Sequence, residues 1–155
     1  PEELKKQIDD IHAKDQQNGH QVKIGVNAFI IARDTEEEAK TVLQEIIDKA
    51  NIQAVHAFGD ATREAGAATR EGEGNWAKSS FEDLVQYNDG FKTNLIGTPR
   101  QIAERIVELK TVGVDLILSG FLHFIEEVEY FGAKVLPLVR ELEAQQQSVE
   151  TAKSA

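Results

Sequence analysis

Hydrophobic and polar positions along this chain switch between two periods, and the switches mark out its elements. Over residues 2–17, Leu4, Ile8 and Ile11 recur at helical spacing among charged neighbours, and Asn18-Gly19 supplies a stop signal. Over residues 22–32 the period falls to two. Val22, Ile24, Val26, Ala28 and Ile30 share one face, while Lys23, Gly25, Asn27, Phe29 and Ile31 share the other. Both faces turn apolar in the second half, as expected of a strand buried on both sides of a parallel sheet. Thr35 then reads as an N-cap with Glu38 as its capping-box partner, and Ala39, Val42, Leu43, Ile46, Ile47 and Ala50 give the helix one apolar stripe.

Residues 51–90 break the rhythm. Glycine, alanine and alternating charges dominate residues 59–74 with no sustained period, which predicts a long connection, either a mobile functional insertion or a surface excursion with a few helical turns. Trp76, Phe81 and Tyr87 favour its partial docking on the body. Order resumes at Thr93 with a short strand. Thr98 is the expected N-cap of the next helix, Pro99 suits its first position and Gln101 completes a capping box. Ile102, Ile106 and Leu109 form the buried stripe, Gly113 ends the helix, and residues 116–119 form a further strand. Residues 93–127 thus read as one βαβ step of a barrel. A last helical run carries Val128, Phe131 and Val135 inward, Pro137 is expected to break it and open a short final helix, and Gln145 onward reads as a polar tail.

Three strands alternating with helices make an α/β protein with parallel pairing. A (β/α)8 barrel takes about 250 residues, so these 155 residues are read as its last part, unless a partner completes the sheet. Residues 1–145 are the expected barrel portion, with a mobile insertion at 51–90, and 146–155 the tail. The start on Pro1 and the absence of methionine fit a fragment, although a natural start with a trimmed initiator stays open.

Composition narrows the function classes. Hydrophobic residues at 41% and charged residues at 28% are ordinary for a globular domain. The formal net charge of −10 argues against nucleic acid or an anionic membrane as partner. No apolar run approaches the roughly 18 residues of a transmembrane helix, and residues 1–6 carry no secretory pattern, so a cytoplasmic setting is the default expectation. With no cysteine, a thiolate nucleophile and a cysteine metal site are excluded.

Candidate chemistry is sparse. Of His12, His20, His56 and His123, three read as surface residues, while His123 follows a strand end, where barrel enzymes bind their ligands. A rim histidine capping a helix explains it as well as a catalytic one. Gly97-Thr98 could hold a phosphate on free N–H groups, but the capping box accounts for the same residues.

Residues 25–39, then Leu95-Ile96-Gly97-Thr98-Pro99, Gly113-Val114-Asp115 and Ser119-Gly120-Phe121-Leu122-His123, together resemble the C-terminal part of the bacterial-luciferase-like flavin monooxygenases. Within that family the chain is most similar to the alkanesulfonate and dimethylsulfone enzymes. The resemblance implies a (β/α)8 barrel that uses reduced FMN from a separate flavin reductase, together with O2, to oxidise a small organosulfur compound with C–S cleavage. It also implies that most of the flavin-phosphate site lies upstream of this chain.

Carried over residue by residue, the resemblance puts Asn27 and Phe29 where the alkanesulfonate enzymes have arginine and histidine, and Phe121 where the family loop has tyrosine. His123 keeps its family position. A sulfonate clamp wants a bidentate cation, so amide and phenyl groups imply a neutral substrate, dimethyl sulfone ahead of an alkanesulfonate. Asn27, Phe29, Ser119, Gly120 and Phe121 are the expected pocket, His123 the expected catalytic residue, and residues 55–80 a lid, with Arg63 and Arg70 as candidate lid arginines. A non-catalytic fragment that self-associates into a homo-oligomer to cover its open edges is the reading from another class, and a relative using F420 instead of FMN stays open.

Overall fold

The structure, a computed structural model, describes residues 2–67, 79–85 and 90–153. Helix α1 (Glu2–Gln17) leads into strand β1 (Gly25–Phe29), which continues after Ile30 as β2 (Ile31–Ala32). Helices α2 (Glu36–Asp48), α3 (Ile52–Ala67) and α4 (Phe81–Leu84) follow. A 3₁₀ turn (Gly90–Thr93), strand β3 (Ile96–Gly97), helix α5 (Pro99–Thr111) and strand β4 (Leu116–Gly120) come next. Helix α6 (Phe124–Tyr130), a π turn (Phe131–Val135) and helix α7 (Leu136–Lys153) close the chain.

All the pairing is parallel, in keeping with an α/β fold. β1 pairs with β4 in the register Gly25↔Leu116 to Phe29↔Gly120, and β2 pairs with β3 through Ile31↔Ile96 and Ala32↔Gly97. The N–H of Ile30 donates to Gly120 O at 2.9 Å and the next N–H, of Ile31, to Leu95 O at 3.0 Å. Consecutive N–H groups of a strand leave by opposite edges, so β3 and β4 flank the 25–32 strand instead of pairing with each other. The expected step of adjacent strands over residues 93–127 is therefore replaced by two strands sharing a third. Among the described residues β4 pairs with β1 alone, so its other edge has no partner strand.

The strand's two faces feed two cores, as its alternation predicts. Ala28, Ile30 and Ala32 pack with Leu95, Ile102, Leu109 and Val135, whereas Phe29 and Ile31 pack with Ala39 and the α2 stripe. Ile8 of α1, 2% exposed, joins the first cluster. It meets Gly113, whose φ of +106° and contact with Ile8 Cγ2 at 3.0 Å from a built Cβ leave no room for a side chain. Gly113 also closes α5: its N–H donates to Lys110 O and that of Val114 to Leu109 O, a Schellman arrangement.

Three helix starts obey the capping-box rule. Thr35, Ser80 and Thr98 each accept from the N–H three residues on, and Glu38, Asp83 and Gln101 reach back.

Four expectations are corrected. Residues 52–67 of the predicted connection form α3, started by Asn51, whose Oδ1 accepts from the Ala54 N–H at 3.0 Å. Its glycines mislead a reading by period because Gly59 and Gly66 are buried packing positions, Gly59 lying against Leu84. Pro137 does not break the last run. The π turn just before it widens the helix where a proline ring would otherwise strike the preceding turn, and α7 continues. The final helix is therefore long instead of short, and residues 145–153 of the polar tail continue it. Val128, expected inward, is 38% exposed, because the residue that α6 turns inward is Glu127, at 9% exposure. No helix among the described residues is long and apolar enough to cross a membrane.

Candidate active site

The C-terminal ends of β2 and β4 lie beside a cleft of about 1050 Å³ whose lining includes Arg33, Asp34, His123, Glu127 and Tyr130. His123 stands at the start of α6, where the chain turns from strand to helix. Its backbone caps the helix, with the carbonyl accepting from the Glu127 N–H at 3.0 Å, but its imidazole makes no capping hydrogen bond. Helix capping is thus not what the ring does.

A carboxylate from within the helix does that work. Glu127, only 9% exposed, accepts through Oε2 from the N–H groups of Leu122 at 2.8 Å and His123 at 3.1 Å. Its Oε1 takes Arg33 Nη2 at 2.6 Å, and Arg33 Nη1 donates to the carbonyl of Ala32 at 2.7 Å. A buried charge is tolerated only when paired and hydrogen-bonded, and both oxygens of this one are engaged. Beside it the Tyr130 hydroxyl donates to Asp34 Oδ1 at 2.6 Å. Burial, and then that bond to an acceptor, pushes the phenol up to about 12. Asp34, Glu37, Glu38, Glu126 and Glu127 give the cleft a surplus of negative charge, since Arg33 is the only cation among its described lining residues and is already paired.

The expected pocket residues fall into three places. Asn27 is exposed at the middle of β1, opposite Leu118 in the register. Phe29, on the same face, is buried edge-on to Phe91 with ring centroids 5.3 Å apart. Gly120 lies beside it, a built Cβ coming 3.4 Å from Phe29 Cδ2. Ser119 and Phe121 belong to the other face. Ser119 lines a second cleft with Ile106 and Leu136, and Phe121 sits edge-on to Phe131 at 5.7 Å and to Phe124 at 6.5 Å. His123 alone of the six opens on the large cleft.

Among the lid candidates, Arg63 pairs with Asp60 on α3 at 2.5 Å. Arg70, Trp76 and Tyr87 lie outside the described residues, and Phe81 packs on the cluster of Val55 and Leu84. His56 is an exposed residue tilted over the Phe81 ring at 5.5 Å, and His20 is exposed, while His12 is partly covered. Period and motif gave no sign of Arg33 and Glu127. The available signal was an acidic residue four positions after a histidine at a strand-to-helix turn.

The luciferase-like monooxygenase model matches residues 1–116. This chain belongs to that family. It is 74% identical over 154 residues to the FMNH(2)-dependent dimethylsulfone monooxygenase of Pseudomonas fluorescens (strain Pf0-1), a match covering 99% of the chain and 42% of that protein. It is likewise 74% identical over 147 residues to the enzyme of the same name from Pseudomonas putida, covering 95% and 40%. The chain thus spans about two fifths of the length of these luciferase-like relatives.

The flavin that the family implies can be weighed against the residues present. The turn at Gly97-Thr98 offers no phosphate cradle, because the Thr98 N–H is already taken by Gln101 Oε1 at 2.9 Å, and the cleft at His123 is anionic. The open face of β1 and β4, with Asn27 opposite exposed Leu118 and Gly25 opposite exposed Leu116, instead suits a flat apolar ring with one polar edge.

Proposed function

We propose that this chain is the C-terminal part of an FMNH2-dependent monooxygenase that oxidises a small neutral organosulfur compound, dimethyl sulfone ahead of an alkanesulfonate, with cleavage of a C–S bond. Its 74% identity to dimethylsulfone monooxygenases across nearly its whole length carries this reading. The reduced flavin, when bound, supplies the electrons that activate O2. Asn27 offers an amide to the ring edge or the sulfone oxygens, Phe29 and Gly120 keep the wall behind it apolar, and Phe121 holds the loop that presents His123. In this reading His123 moves a proton at the reacting centre.

The charge of the site supports the neutral substrate. A sulfonate would face carboxylates at the cleft and an amide at Asn27, with the one cation among the described lining residues engaged by Glu127. In this reading the remaining strands of a (β/α)8 barrel come from sequence upstream and carry the flavin-phosphate site. Leu116 at 63% and Leu118 at 67% exposure lie on the open face of β1 and β4, and the free edge of β4 is where those strands would add. The enzyme is cytoplasmic, draws FMNH2 from a separate reductase, works as a homo-oligomer, and needs neither nucleic acid nor membrane. In this reading residues 55–80, of which 68–78 lie outside the described residues, act as the lid that keeps water from the reduced flavin.

The test is the full-length protein assayed with reduced FMN on dimethyl sulfone against an alkanesulfonate. Turnover of the sulfone is expected, and preference for the sulfonate overturns the neutral-substrate reading. The same exposed leucines also favour a second reading, a non-catalytic module that buries β4 against a copy of itself. No flavin binding by the full-length protein, together with a dimer of the 155-residue chain by light scattering, is the outcome that reading requires.

A further inference from the structure

We infer that Glu127, held by Arg33, is the positioning residue of the His123 loop, an inference that rests on the proposed role of His123 at the reacting centre. Three other helices in this chain start with a Ser or Thr whose own hydroxyl caps the first turn. Had α6 been built that way, the side chain at position 123 would be consumed in capping. Here the backbone N–H groups of Leu122 and His123 are satisfied from below, by a carboxylate one turn into the helix, and the imidazole is released toward the cleft.

The carboxylate is itself fixed. Arg33 comes from the end of β2, 94 positions away in sequence, so the loop after β4 is referenced to a different strand end. The Arg33 side chain is 25% exposed and doubly held, by Glu127 and by the Ala32 carbonyl. A bidentate-capable guanidinium with one donor on the backbone of its own strand transmits that strand's position with little freedom. Moving either partner would shift the backbone at His123, and a reacting group displaced by about 1 Å can lose on the order of a hundredfold in rate.

Glu127→Gln keeps an acceptor but loses the charge that holds Arg33, and Glu127→Ala loses both. In the full-length enzyme assayed with reduced FMN and dimethyl sulfone, well below the unfolding temperature, both variants are expected to lower kcat, on the order of tenfold or more for Ala and less for Gln, with KM little changed. In a His123→Ala background the Glu127→Gln change should have no further effect on kcat, since it acts through the missing ring. Independently of turnover, the amide protons of Leu122 and His123 should exchange faster in Glu127→Ala than in the parent. Undiminished kcat in Glu127→Ala, a full additive loss in the double variant, or unchanged amide exchange each overturns the inference alone. A His123→Ala enzyme that turns over as fast as the parent overturns the role of His123 in turnover, and the inference falls with it.

Discussion

The phenolic hydroxyl of Tyr130 donates to Asp34 Oδ1 at 2.6 Å, tying α6 to the turn after β2 across 96 positions of sequence. Tyr130 is pushed up to about 12 in the folded chain, whereas an unfolded tyrosine releases its proton near 10. Between those values the unfolded chain has lost the proton and the folded chain keeps it, so the contribution of Tyr130 is whole below about pH 10 and disappears as the pH rises toward 12. Urea unfolding of the parent and of Tyr130→Phe should therefore show a stability gap that narrows steadily from pH 9 to 12. A gap independent of pH in that window contradicts the assignment.

The capping box at α5 gives a second expectation. Thr98 Oγ1 accepts from the Gln101 N–H at 3.3 Å while Gln101 Oε1 accepts from the Thr98 N–H at 2.9 Å. Thr98→Ala should cost on the order of 1 kcal/mol in chemical denaturation, and Thr98→Gly only a few tenths. Equal losses for the two would mean that the hydroxyl does not cap.

Gly97 immediately before it is more demanding. Its φ is +146°, and a built Cβ falls 2.6 Å from Gln101 Oε1, the atom that closes the box. Gly97→Ala combines a disfavoured backbone with a displaced cap and should cost about 1–3 kcal/mol. Because both changes act on one box, the double variant Gly97→Ala/Thr98→Ala should lose less than the two single losses together. Strict additivity would separate the two effects.

Packing supplies a contrast within one residue type. Ile102 is fully buried at 0% exposure in the core under α5, while Ile125 on α6 is 69% exposed. Ile102→Ala is expected to destabilise by about 2–5 kcal/mol, and Ile125→Ala to stay within about 0.5 kcal/mol. Thermal or urea unfolding of the pair settles it, and a comparable loss at Ile125 would indicate that this residue is covered in solution.

What could be read from the sequence was what neighbours decide. The boxes at Thr35 and Thr98, the stop at Gly113 and the two-faced strand around Ala28 and Phe29 all rest on residues within a turn of each other. Asn51 could have announced α3, but the buried Gly59 and Gly66 hid the period, and Gly59 is buried against Leu84 of helix α4, a neighbour outside α3 itself. The order of the strands, the pairing of Arg33 with Glu127 and the release of the His123 ring depend on segments that meet only in the folded chain. Periodicity carries no record of them. The family resemblance singled out His123 but not the carboxylate that holds it.

The strand that runs through Ile30 also has a consequence for how the chain comes to be folded. Ile24 binds Asp115 across 91 positions, Arg33 binds Glu127 across 94, and Asp34 binds Tyr130 across 96. Every one of these partners is made long after residues 24–34 on a growing chain. Until then the most apolar segment of the protein waits with an open edge, the condition under which nascent chains aggregate or recruit a chaperone. Biosynthetic yield, more than equilibrium stability, is where changes to this strand should register first.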